Sequence, residues 1–97
     1  MRFAIIFSPE AIQDLRRLKA SHRSAVKLAI ETHLRHEPRK ESKSRIKRLQ
    51  GIRRPGYRLR AGDIRVFYDV SESTVEILAI ISKSEASEWL QSIQEPS

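Results

Sequence analysis

Polar and apolar positions alternate with a period of two in the second half of the chain, and with a period near 3.6 in the first half. The clearest alternation is Tyr57-Arg-Leu-Arg-Ala-Gly-Asp-Ile-Arg-Val-Phe-Tyr68, two runs separated by Gly62-Asp63. A Gly-X pair between runs rich in β-branched and aromatic residues marks a two-residue hairpin loop. An antiparallel ladder around that loop sets Ala61 opposite Ile64, Arg60 opposite Arg65, Leu59 opposite Val66, Arg58 opposite Phe67 and Tyr57 opposite Tyr68. One face is then apolar and the other carries three arginines. Ser71 to Thr74 reads as a second turn, and the run from Val75 to Ile81 as a third strand. If Val70 pairs with Val75, Tyr68 meets Ile77, Val66 meets Ala79 and Ile64 meets Ile81. This register places Phe67, Leu78 and Ile80 on the arginine side.

Upstream, Phe3-Ala-Ile-Ile-Phe7 predicts a strand, and Ser8-Pro9-Glu10 a helix start with Ser at the N-cap and Pro at the first helical position. Ala11, Ile12, Leu15 and Leu18 form one stripe of a helix ending near Ala20. Ser21 is a candidate cap for a second helix, which places Val26, Ala29, Ile30, His33 and Leu34 on one face and stops at Glu37-Pro38. So short a connection predicts an antiparallel helix hairpin. Near the end, Ala86, Trp89, Leu90 and Ile93 make a short apolar stripe within residues 82–93, suited to covering the half-polar arginine face, and residues 94–97 are expected to fray. The elements predict one α+β domain over residues 1–97. Its N-terminal strand and helix hairpin pack on an antiparallel meander, with a short C-terminal helix.

Charge changes this picture in one segment. Lys and Arg number 19 against 12 Asp and Glu, a net charge of +7, and eight of these basic residues fall within residues 39–56. That segment, about 37–56, predicts a mobile basic surface loop, with Ile46, Leu49 and Ile52 at helical spacing to pin its second half. A basic balance of this size implies a polyanionic partner. The absence of cysteine excludes disulfides and thiolate metal sites. No His-x-x-x-His or His–Glu spacing places two ligands on one face, so neither a metal nor another cofactor is expected. His33 reads as a half-buried packing residue, and Trp89 as core more than as a base-stacking platform. The first apolar run is too short for a signal segment or a membrane span, which predicts a cytoplasmic protein without a membrane partner.

Arg60 and Arg65 face each other with Arg58 beside them. Like charges at paired positions repel by a few tenths of a kcal/mol or so, and a phosphate between the planar forks relieves that repulsion. Arg65, on the middle strand, is expected to be the best fixed of the three. Its removal is expected to leave stability unchanged or raised, by relieving the repulsion.

The order strand, helix hairpin, basic loop, meander and terminal helix resembles the RelE/ParE toxin superfamily of type II toxin–antitoxin systems, and its RelE-like branch in particular. The resemblance spans nearly the whole chain. It is most specific at Arg48-Leu-Gln-Gly51, at residues 57–68 and at Ile80-Ile-Ser-Lys-Ser-Glu85. It implies a ribosome-dependent, metal-free endoribonuclease that cuts messenger RNA in the ribosomal A site by attack of a 2′-hydroxyl on the adjacent phosphate. The residues carried over are Arg58, Arg60, Arg65 and Lys83 as the catalytic group, with Lys43, Arg45, Lys47, Arg48, Arg53 and Arg54 as RNA-binding residues. Where the family often has Arg or His at the start of the last helix, this chain has Lys83 and Ser84. Where it often has a proton-transferring Tyr or His near the end, this chain has Leu90. The resemblance also implies a small acidic antitoxin partner and, through it, operator DNA. On the residues alone, an acidic chain folding onto the apolar surface of Phe67, Leu78 and Ile80 suits the same partner. The alternative is a non-catalytic protein: a gyrase-directed ParE-like toxin, or a degenerate toxin acting with its antitoxin to repress its own operon.

Overall fold

In the computed structural model, which describes residues 1–94, the elements run β1 (Ala4–Phe7), α1 (Pro9–Arg17), α2 (Ala20–Leu34), β2 (Ile46–Arg48), β3 (Tyr57–Ala61), β4 (Ile64–Val70), β5 (Thr74–Ser82) and α3 (Lys83–Gln94). Ser8 caps α1 as its sequence predicts: its hydroxyl accepts from the Ala11 N–H at 3.1 Å, and Pro9 occupies the first turn. The second helix differs from expectation. It starts at Ala20 after Lys19, with no side-chain cap, so Ser21 lies inside it. Gln94 belongs to α3, and the rest of the segment expected to fray lies outside the described residues.

The five strands form one sheet in the order β1-β5-β4-β3-β2. The meander β3-β4-β5 is antiparallel, and β1 joins its edge in parallel with Ala4 opposite Thr74 and Phe7 opposite Ile77. Helices α1 and α2 cover one face. Val26, Ala29, Ile30 and Leu34 of α2 share a core there with Leu59, Val66, Tyr68, Val75 and Ile77. The Tyr57 and Tyr68 rings stack at 5.5 Å on this side, and the Tyr68 hydroxyl donates to the Pro38 carbonyl at 2.7 Å. Burial pushes the Tyr68 phenol well above its ordinary pKa, so it serves as a neutral donor. On the opposite face α3 packs, with Trp89 stacked on Phe67 at 4.8 Å.

The first hairpin has the expected register at all five pairs. The second keeps Val70 opposite Val75 and Tyr68 opposite Ile77, then slips between Tyr68 and Phe67, leaving Leu78 as an extra residue. Val66 therefore meets Ile80, and Ile64 meets Ser82, in place of the expected Ala79 and Ile81. A one-residue slip exchanges faces. Ile80 joins the core, 2% exposed, while Ala79 and Ile81 come to lie beside Phe67 and Arg65. The run from Ile77 to Ile81 is apolar throughout, so alternation could not distinguish the two registers. Phe67 is also fully buried, and the exposed apolar surface expected from Phe67, Leu78 and Ile80 does not form.

Beyond Phe7, β1 no longer covers the edge of β5, and α1 takes over its hydrogen bonding. Ser8 Oγ donates to the Leu78 carbonyl at 3.3 Å, and Asp14 Oδ2 accepts from the Ile80 N–H at 3.0 Å. The basic segment is likewise more ordered than its composition predicts. Ile46 is buried in β2, which pairs with β3 through Ile46 opposite Leu59, Lys47 opposite Arg58 and Arg48 opposite Tyr57. Of the three apolar positions expected at helical spacing, only Ile46 lies in a regular element, a strand and not a helix, while Leu49 and Ile52 fall in the loop beyond it. An eight-residue loop follows, closed where the Leu49 N–H donates to the Gly56 carbonyl at 2.9 Å.

Candidate functional site

The face of the sheet opposite α1 and α2 carries Lys47 on β2, Arg58 and Arg60 on β3, and Arg65 and Phe67 on β4. The ladder forces this assembly: Lys47 pairs with Arg58, Arg60 with Arg65, and alternate residues share a face. Helix α3 closes one side. Its Lys83, Ala86, Ser87, Leu90, Gln91 and Gln94 complete an open cleft of about 820 Å³ with Leu49 and the sheet residues. Among the described residues none of the five cations Lys47, Arg58, Arg60, Arg65 and Lys83 takes part in an ion pair, and no carboxylate lines the cleft.

The three arginines are held differently. Arg65 is 5% exposed, and its Nη1 donates to the carbonyls of Gly62 at 2.8 Å and Ile64 at 3.2 Å, so one end of its guanidinium braces the hairpin turn. Gly62 adopts a positive φ of 62°, suited to glycine at that turn. Arg58 is half-buried and its Nε has no hydrogen-bond partner. Arg60 is exposed. Burial, then the charges of Arg65 and Arg60, push Arg58 below its ordinary pKa. Burial and then Arg60 do the same to Arg65, with Asp63 opposing. Arg58 and Arg65 still remain cationic at neutral pH, because a guanidinium titrates far above it. The result is a positive cleft, partly desolvated, whose cations form no ion pair among the described residues.

Arg65 is thus the best-held arginine, as expected, but by different means. The expectation that its removal costs no stability does not fit a buried side chain with two backbone acceptors. Lys83 begins α3 at the mouth of the cleft, where its backbone N–H donates to the Asp63 carbonyl at 2.7 Å and ties the helix to the hairpin turn. Ser84 lies outside the cleft, its hydroxyl 3.1 Å from that of Ser82, while Leu90 lines it. Among the described residues no histidine, tyrosine or carboxylate contributes to the lining.

The residues expected to bind RNA are dispersed. Lys47 is in the cleft. Arg48 lies over Tyr57 on the other face, with Nη1 donating to the phenol oxygen at 3.1 Å. Arg45 lies beside His33, which is half-buried with its pKa pushed down by burial and then by Arg45, and Lys43 is exposed in the segment before β2. Arg53 and Arg54 border a separate hollow with Ile6, Asp69 and Glu76. Arg54 is engaged with both of those acids. The sequence reading missed Ser87, Gln91 and Gln94 as cleft residues. The signal was present, because 83, 87, 90, 91 and 94 follow helical spacing from Lys83.

Comparison with known proteins bears on what such a cleft belongs to. Residues 5–87 match the family described as ParE toxin of type II toxin-antitoxin system, parDE. No curated protein sequence matches. Among solved structures, the archaeal RelE–RelB complex from Pyrococcus horikoshii OT3 is 26% identical, covering 89% of this chain and 100% of that one with a TM-score of 0.69. The toxin–antitoxin complex RelBE2 from Mycobacterium tuberculosis is 24% identical over 84% of this chain and 99% of that one, at a TM-score of 0.65. The isolated RelE toxin from E. coli shares the fold at 19% identity, covering 95% and 96% of the two chains with a TM-score of 0.67. With the family matched over most of its length, this chain belongs to the ParE toxin family of type II toxin–antitoxin systems, within the RelE/ParE superfamily.

Proposed function

We propose that this toxin is an endoribonuclease that cleaves messenger RNA in the ribosomal A site, with the cleft between the sheet and α3 as its active site. The observation that carries the reading is the convergence of Lys47, Arg58, Arg60, Arg65 and Lys83 on one cleft with no carboxylate in its lining and no ion pair to any of them among the described residues. Such a cleft suits a phosphodiester, and suits it better as charge builds on the phosphorane. In the reaction the 2′-oxygen attacks the adjacent phosphorus and the 5′-oxygen of the next nucleotide leaves, giving a cyclic phosphate and a 5′-hydroxyl. Arg58, whose Nε lacks a partner, and Arg65, braced on the turn, take the non-bridging oxygens. Arg60 and Lys47 hold the flanking backbone. The attacking hydroxyl must lose a proton and the leaving oxygen must gain one. Among the described lining residues, Lys83 is the one side chain other than arginine and Lys47 able to exchange it; otherwise the substrate or the ribosome supplies the group. An antitoxin protein encoded beside this chain is its partner, as in the toxin–antitoxin complexes of similar fold.

One observation favours a second reading. Among the described residues the cleft has no histidine, tyrosine or carboxylate, and the matched family carries the ParE name, so a toxin directed at DNA gyrase, binding without cleaving RNA, is the alternative. The test is to induce the chain in growing cells and map the 5′ ends of transcripts. New ends within translated codons, lost in an Arg58→Ala variant, are the expected result. Growth arrest with unchanged 5′ ends and broken DNA overturns the ribonuclease reading in favour of the gyrase one.

A further inference from the structure

The edge strand β2 is three residues long and pairs with β3 alone, yet it delivers Lys47 to the cleft, with Leu49 just beyond it. A strand so short is marginal unless something outside it fixes its position. The loop that follows is anchored at the far end of the sheet. Asp69 Oδ1 accepts from the Gly56 N–H at 2.6 Å, and Oδ2 accepts from Arg54 Nε. Arg54 Nη2 also donates to Glu76 Oε1 at 2.7 Å. Asp69 and Glu76 face each other across the β4–β5 ladder, a like-charge pairing that is unfavourable unless a cation lies between them. Arg54 is that cation. A Cβ added at Gly56 would lie 3.3 Å from Asp69 Oδ1, so the close approach suits glycine there. Gly56 then passes the constraint on, because its carbonyl accepts from the Leu49 N–H at 2.9 Å.

We propose that Asp69, with Glu76, is a positioning residue for the RNA cleft: it clasps Arg54 and Gly56 and thereby fixes β2, Lys47 and Leu49 at the cleft's edge. The proposal rests on the cleft being the RNA site, and it removes Arg54 from the residues that touch RNA. It makes a prediction opposite in sign to simple electrostatics. Neutralising Asp69 raises the net positive charge and frees Arg54, which by charge alone strengthens binding to a polyanion. If Asp69 positions the strand, the same change weakens binding.

The experiment measures affinity of the full purified chain for a labelled single-stranded oligoribonucleotide of mixed sequence. The variants are Asp69→Asn, Glu76→Gln, Arg54→Gln, the double variant D69N/R54Q, Arg58→Ala and Glu72→Gln. Glu72 lies on the exposed β4–β5 turn and serves as the charge control. D69N and R54Q are each expected to lose roughly three- to tenfold in affinity, and the double variant no more than the worse single, since both break one unit. E76Q, which loosens one arm, is expected to fall between, and E72Q to bind as tightly as the parent or slightly better. Amide exchange supplies a readout independent of RNA: the Leu49 amide is expected to exchange faster in D69N, while that of Val66 at the sheet centre stays protected. D69N binding as tightly as E72Q, or an unchanged Leu49 amide, overturns the proposal. Loss of affinity in D69N with an unprotected Val66 amide also overturns it, because the residue then supports the whole fold. Full RNA affinity in Arg58→Ala instead overturns the cleft as the RNA site, and the Leu49 amide still decides the clasp by itself.

Discussion

Two arginines on one face of a strand pair are held in different ways. Arg65 is 5% exposed and bound to the Gly62 and Ile64 carbonyls, whereas Arg58 keeps a buried Nε with no partner. Removing Arg65 takes away charged hydrogen bonds from a buried site, which costs about 1 to 3 kcal/mol of stability. Removing Arg58 relieves a desolvated, unpaired donor and the repulsion of Lys47, Arg60 and Arg65, so it costs little or nothing. Both changes are expected to lower cleavage roughly a hundredfold or more, the typical effect of deleting one fixed charge stabiliser. Urea unfolding run beside single-turnover cleavage on ribosomes separates them: Arg65→Ala loses both, and Arg58→Ala loses cleavage alone. An Arg58→Ala protein that cuts at the parental rate removes Arg58 from the site. Arg65→Lys is expected to recover part of the cleavage and little of the stability, since an ammonium lacks the planar fork that braces the turn.

At the scale of elements, the bulge and the edge of β5 show where patterning ceases to be informative. The hairpin β3–β4 was legible pair by pair, because Gly62-Asp63 sets the loop and polar residues mark one face. The β4–β5 pairing was legible only as far as Tyr68 and Ile77, because the residues after Ile77 are apolar on both faces. Asp14 was not singled out at all. It reads as a polar residue on an amphipathic helix, yet its carboxylate receives the Ile80 N–H where β1 stops short. Asp14→Ala leaves that part-buried N–H unsatisfied and is expected to destabilise the fold by about 1 to 3 kcal/mol. Asp14→Asn, which keeps an acceptor, is expected to cost less. Thermal unfolding of the two variants checks this, and equal stability of Asp14→Ala and the parent would show that solvent meets the edge instead.

Over the whole molecule the charge divides into a clasped set and an open set. Arg35 pairs with Glu31 and Arg54 with Asp69 and Glu76, while the cleft cations and the exposed Lys43 have no acid partner among the described residues. The open set governs the pull on a polyanion. Replacing the exposed Lys43 and Arg45, neither of them in an ion pair among the described residues, by Gln is therefore expected to weaken RNA binding modestly for all sequences and to flatten its dependence on salt, by about one unit of logarithmic slope for each phosphate no longer neutralised. The melting temperature is expected to hold, because both side chains are exposed and exposed charges contribute little to folding. A melting temperature that fell by many degrees would make this segment structural beyond the buried Ile46.

The fold class, the order of the elements other than β2, the first hairpin's register and the three arginines on one face are properties of the sequence by itself, because period, turn residues and caps act over a few residues. The sequence also placed α3 over the arginine face, through the need to cover Phe67. The tertiary structure alone decided which basic residues share the cleft. Lys47 and Arg48 are neighbours in the chain, but strand alternation sends them to opposite faces, and only the pairing of β2 with β3 selects the face for each. It decided that Arg54 is held by acids fifteen and more residues away, and that Asp14 completes a strand edge 66 residues distant. These contacts join segments with no local signal for one another, since a hydrogen bond between remote positions depends on the chain path that brings them together.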